Sequence, residues 1–117
     1  MNIEYLRDYC LSKKCVEETL PFGDDTLVYK VLGKIFALTS FSEPDRCNLK
    51  CDPERAIELR NTYEAVKPGF HMNKQHWNTV HFNQDMLDKE ILDLIDHSYE
   101  LVVASLPKKV RDELKIN

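Results

Sequence analysis

The side chains best suited to chemistry lie between Ala65 and Gln84, a stretch without Asp or Glu in a chain whose net charge is −4. Lys67, His71, Lys74, His76 and His81 are interleaved there with Phe70 and Trp77. Ammonium and imidazolium groups suit phosphate, flat rings suit base stacking, and Asn73, Gln75 and Asn78 supply hydrogen bonds; single-stranded and loop nucleic acid is bound in this way. A plainer reading takes Trp77 as partly core, the lysines as solvated and the histidines as ordinary. Lys30, Lys34 and Lys50 fall on expected strands or a hairpin end, where they would line an open sheet face or simply discourage edge pairing. Asp85 to Glu100, in contrast, carries Asp85, Asp88, Glu90, Asp93, Asp96 and Glu100 against Lys89 alone. Charge is therefore segregated along the chain.

Other chemistries find less support. His71, His76 and His81 recur at even intervals, but Cys47 and Cys51 on one extended strand would stand roughly 13 Å apart, too far to share a zinc ion. No C-x-x-C or H-E-x-x-H spacing occurs, so no metal and no cofactor are expected. Glu17-Glu18 would point to opposite sides of a strand, and neither Ser98 nor any Cys sits on a Gly elbow or beside a phosphate-cradling Gly-rich loop. A binding protein is expected, not an enzyme.

The elements that position these residues must come from one domain, since the chain has 117 residues and a mass of 13.7 kDa. Hydrophobic content of 43% with 31% charged residues, 3 Gly and 5 Pro describes a self-folding globular chain. Its acidic balance has the wrong sign for indiscriminate coating of nucleic acid or an anionic membrane, but leaves room for a confined cationic patch. No apolar leader is visible, and the Met86–Leu106 stretch is too charged for lipid. A cytoplasmic monomer is the expectation, with Cys10, Cys15, Cys47 and Cys51 as reduced, mostly buried thiols.

Asn2 can cap a first helix marked by Ile3, Leu6 and Cys10 and ending near Ser12. Val16 to Phe22, stopped by Pro21, is at most a brief edge strand. Leu27–Val31 and Lys34–Leu38 flank Leu32-Gly33 as a hairpin. Arg46 to Cys51 alternates as a half-buried strand with Lys50 opposite Cys47, Leu49 and Cys51. Asp52-Pro53 then opens a helix whose facing side is Ala56, Leu59, Arg60 and Tyr63. Trp77 to Phe82 alternates as another strand, and Leu87, Ile91, Leu94, Ile95, Ser98, Val102 and Leu106 trace one face of a long helix ended by Pro107. Lys108 to Lys115 adds a short last helix. This order predicts an α+β fold: a two-layer sandwich of an antiparallel sheet with helices packed on one face, the other face open to solvent.

Several segments together resemble the MmcQ/YjbR family of small bacterial proteins. They are Glu17-Glu18-Thr19 with Pro21-Phe22, Leu27–Val31 followed by Gly33–Ala37, Asn48-Leu49-Lys50-Cys51-Asp52-Pro53, Pro68 to Asn78, and Ser98-Tyr99. The His71-Met72-Asn73-Lys74-x-His76-Trp77-Asn78 stretch is the most specific, and Phe70 stands where Tyr is common. Nearly the whole chain, 1–117, is covered as a single domain. The resemblance implies a frataxin-like (CyaY-like) sandwich and a DNA-binding role proposed for the family through a "double wing" arrangement. By position it singles out Lys67, His71, Lys74, His76 and Trp77 in the signature loop and Lys34 and Lys50 on strands.

The expected function is therefore weak, salt-sensitive DNA binding. Lys34, Lys50, Lys67 and Lys74 would meet phosphate, His71 and His76 would add pH-dependent contacts, and Trp77 would stack or wedge. The other expectation is a non-enzymatic module that holds a protein or a small anionic ligand on the same open face.

Overall fold

A computed structural model describes residues 1–115. Its elements are α1 (Ile3–Leu11), β1 (Val16–Thr19), β2 (Thr26–Val31), β3 (Lys34–Ser40), β4 (Arg46–Lys50), α2 (Pro53–Thr62), β5 (Val66–Pro68), β6 (Trp77–His81), α3 (Asp88–Ser105) and α4 (Lys108–Arg111), followed by a 3-10 turn over Asp112–Lys115. The six strands form one sheet in the order β1-β2-β3-β4-β6-β5, every neighbouring pair antiparallel. Helices α1 and α3 pack against each other, and α3 crosses β2, β3 and β4 while α2 lies by β5. The predicted α+β sandwich with one helical layer is what forms. Among the described residues no helix is long and apolar enough to cross a membrane.

Local chemistry accounts for the element ends. Asn2 accepts the Tyr5 backbone N–H through its side chain at 2.8 Å and starts α1. Asp52 does the same for Arg55 at the head of α2, where Pro53 occupies the first turn and needs no N–H partner. The β2–β3 turn uses Leu32 and Gly33 at φ 48° and 86°, the two left-handed residues that a tight two-residue hairpin requires. One strand was not visible as a separate element in the sequence: β5 has three residues ending on Pro68, too short for alternation to register.

Cross-strand partners share a face, so register sorts the side chains. Leu27, Tyr29, Val31, Ala37, Cys47, Leu49, Val66 and Val80 meet Leu6, Cys10, Ile91, Leu94, Ile95 and Val102 in the core. Between Tyr29 and Lys30 the ladder with β3 slips by one residue at Phe36, a bulge that turns both Phe36 and Ala37 into the core. The buried Ser98 of α3 repairs the interruption: its hydroxyl donates to the Phe36 carbonyl at 2.5 Å and accepts the Lys50 N–H at 2.9 Å. Cys10, Cys47 and Cys51 are buried free thiols, with burial pushing Cys10 up to about 12 and Cys51 up to about 11. Cys15 departs from the expectation of burial, standing exposed at φ 60° in the turn before β1.

Candidate functional site

Among the described residues no helix covers the opposite face of the sheet. By register it carries Val28, Leu38, Asn48, Thr79 and Lys67 in one cross-strand row, Lys30 with Ile35 and Glu17 in another, Lys50 beside Trp77, and Arg46 beside His81. Its strand charges are thus Lys30, Arg46, Lys50 and Lys67 against Glu17 alone. The carboxylates Asp88, Glu90, Asp93, Asp96 and Glu100 belong to α3, on the other layer. The strand cations of the open face and the carboxylates of α3 therefore lie in different layers.

The signature loop between β5 and β6 does not project from the sheet end but turns back onto this face. The Phe70 N–H donates to the Thr79 hydroxyl at 2.9 Å, and the Phe70 carbonyl accepts from the Asn48 side-chain amide at 3.1 Å. Gly69 permits the turn because a Cβ there would lie 2.8 Å from both the Cβ and the carbonyl oxygen of Trp77. Arg60 of α2 holds the loop's return from the helical side: Nε donates to Asn78 Oδ1 at 2.7 Å, and Nη2 donates to the Lys74 carbonyl. His71 is forced to φ 60°, a left-handed conformation that costs a non-glycine residue about 1 kcal/mol. Its exposed ring lies edge-on to Phe70 with centroids 4.4 Å apart.

Folded back in this way, the loop walls a groove of about 490 Å³ on the open face. Leu38 and Asn48 lie along its floor, with Phe22, Phe70, His71 and Met72 around it. Phe22 and Phe70 are 67% and 55% exposed, so both rings are open to solvent at the groove. Ser40, Ser42, Asp25, Glu43 and Arg46 line the end towards the β1–β2 and β3–β4 loops. There both Asp25 carboxylate oxygens accept from Ser42, its N–H at 2.9 Å and its hydroxyl at 2.6 Å. Arg46 reaches Asp45 at 3.0 Å and Glu43 at 3.2 Å, and its guanidinium holds the Asp45 carboxyl below the usual carboxylate range.

The seven residues singled out from the sequence are not one cluster. Lys50 and Trp77 are cross-strand neighbours, both half-buried, on the open face, and Lys67 lies on the same face, its ammonium 3.4 Å from Glu64. His71 lines the groove. Lys74 spends its ammonium on the Gly69 carbonyl at 2.8 Å, a bond that closes the loop. The His76 carbonyl accepts the Cys51 N–H at 2.8 Å. Lys34 does not line the open face as expected: the two-residue turn pairs it with core-facing Val31, which gives Lys30 the opposite and correct parity. Arg46, Asn48, Thr79, Arg60 and Phe22 were missed. Asn48 and Phe22 had a sequence signal, inside the Asn48–Pro53 and Pro21-Phe22 stretches. No group of His, Cys, Asp or Glu able to hold a metal ion occurs among the described residues.

These features define a class: a small α+β domain whose open antiparallel face is partly covered by a folded-back cationic–aromatic loop. The chain belongs to the YjbR family, whose model matches residues 11–101. It is 39% identical over 102 residues to the protein YbdF of Escherichia coli O157:H7, covering 86% of this chain and 82% of that one. To the protein YjbR of Escherichia coli strain K12 it is 34% identical over 112 residues, 95% of each chain. Among solved structures it is similar to the Deinococcus radiodurans protein DR2400, of domain family DUF419, with a TM-score of 0.90 and 38% identity over 98% of this chain and 88% of that one. A Pseudomonas syringae protein superposes with a TM-score of 0.73 at 29% identity, over 86% of this chain and 98% of that one.

Proposed function

We propose that the open sheet face binds DNA, without catalysing a reaction on it. The observation that carries this reading is the Lys50–Trp77 pair, a cation and a stacking ring side by side on β4 and β6, with Lys67 on neighbouring β5 and Lys30 two strands away on β2. From β2 to β5 this band spans four strand spacings, roughly 19 Å. Phosphates are attracted to it and repelled by the acidic helical layer, so binding is confined to one face although the whole protein is an anion. Neither Lys30 nor Lys50 is ion-paired among the described residues, which leaves both ammonium groups for a phosphate.

Three lysine–phosphate contacts give a slope of log K against log salt of about −2 on a single strand and about −3 on a duplex. Fluorescence anisotropy of a labelled oligonucleotide over a salt series measures this directly. A slope in that range supports the reading, and absence of binding at low salt overturns it.

A further inference from the structure

We propose that the groove beneath the signature loop is a pocket for one unpaired nucleobase, so that the protein prefers single-stranded to double-stranded DNA; this rests on the nucleic-acid reading of the open face. The groove is continuous with the cationic band through β4, where Arg46, Asn48 and Lys50 stand on one face at intervals of roughly 6.6 Å. Charge changes along β4 across this face. Beyond the groove, at Lys50 and Trp77, phosphate is favoured; at the Arg46 end of the groove, Glu43 and Asp45 neutralise Arg46 and, with Asp25, repel a polyanion. A strand crossing this face therefore keeps its phosphates beside the lysines, and the part that enters the groove is the neutral base.

The lining suits a base. Phe22 and Phe70 offer exposed ring faces without sequence preference, since every base has a π surface to stack. Ser40 and Ser42 hydroxyls and the Glu43 carboxylate provide acceptors for exocyclic amino groups, and the unpaired base edge is open to them only when it is out of the duplex. A volume of about 490 Å³ is ample for one base and too small for a stack of paired ones. The strained backbone at His71 has a use in this arrangement: it holds the ring over the groove mouth, while Phe70 is fixed at both its N–H and its carbonyl.

The test compares a labelled 20-nucleotide thymidine–adenine mixed single strand with its 20-base-pair duplex, by anisotropy at low salt, on the full chain. The wild type is expected to bind the single strand about 10-fold more tightly. Phe70→Ala and Phe22→Ala, both at exposed rings whose loss leaves the core intact, are expected to remove that preference and keep duplex affinity. Lys50→Ala is expected to weaken both. Equal wild-type affinity for the two forms, or unchanged preference in both Phe variants, overturns the base pocket while leaving the DNA face standing. Failure to bind either form overturns the DNA reading itself.

Discussion

Thr79 and Asn48, cross-strand partners on β6 and β4, sit with the Thr79 hydroxyl 2.5 Å from Asn48 Oδ1, and between them hold both backbone polar groups of Phe70. This pair is what converts a surface loop into the wall of a groove. Its replacement has a definite cost: Thr79→Val keeps the shape of the side chain but leaves the Phe70 N–H and Asn48 Oδ1 without their partner. The expected loss is about 1–2 kcal/mol, or a fall in melting temperature of roughly 5 °C. Differential scanning calorimetry measures it, and an unchanged melting temperature would show that the loop is not anchored there.

Ser98 plays the corresponding part on the core side. Ser98→Ala strands the Phe36 carbonyl and the Lys50 N–H at a fully buried position, so about 2–4 kcal/mol of stability is expected to disappear. Urea denaturation tests this, with a change under about 0.5 kcal/mol as the contrary result. Because Lys50 is on the open face, the same bond links the helical layer to the backbone that carries the site.

Arg60 links α2 to the loop through three acceptors, Asn78 Oδ1, the Lys74 carbonyl and, at 3.5 Å, the Trp77 carbonyl. Arg60→Met keeps much of the apolar stem but abandons all three. Amide hydrogen exchange is expected to accelerate at least about 10-fold across residues 70–76, with the strands β2 and β3 unchanged. Uniform acceleration over the whole sheet would assign Arg60 to global stability instead.

A pH dependence follows from His97. Its Nε2 accepts the Asp52 N–H at 3.2 Å at the head of α2, which needs the neutral ring. Burial first and Arg55 second hold the imidazole below its ordinary value, against the opposing pull of Asp52, Glu100 and Asp93. The unfolded chain then binds the proton more readily than the folded one, so stability is present above about pH 6.5 and declines as pH falls towards the depressed folded value. His97→Gln retains an acceptor but does not titrate. Thermal denaturation between pH 7.5 and 5.5 should show a flatter profile for this variant, and identical slopes would count against it.

The elements were legible where local rules decide them. Alternation marked Arg46–Lys50 and Trp77–His81, capping by Asp52 with Pro53 marked α2, and the spacing of Ile91, Leu94, Ile95, Ser98 and Val102 marked α3. The inward and outward sides of β4 were correct as well. The site was legible only in part because it depends on strand order: β4 pairs with β6, not with the β5 that precedes it, and no local pattern encodes that choice. Asn48 and Thr79, or Arg60 and Asn78, become neighbours only through it. Lys34 illustrates a smaller failure: the two-residue Leu32-Gly33 turn was legible, and because it pairs Lys34 with core-facing Val31, Lys34 and Lys30 could not share the open face. Charge averaged over the chain hid a contrast that the fold sets between the strand lysines of the open face and the carboxylates of α3.

The most direct test of the DNA-binding face is a pair of charge-matched double variants. Lys50→Glu with Lys67→Glu reverses the open face, while Lys89→Glu with Lys109→Glu makes the same change of net charge at exposed positions on the helices. Dissociation constants for a labelled single-stranded 20-mer at low salt should rise at least about 10-fold for the first and stay within about two-fold of wild type for the second. Equal losses in both would mean that only net charge matters, and would contradict a binding face on the open sheet.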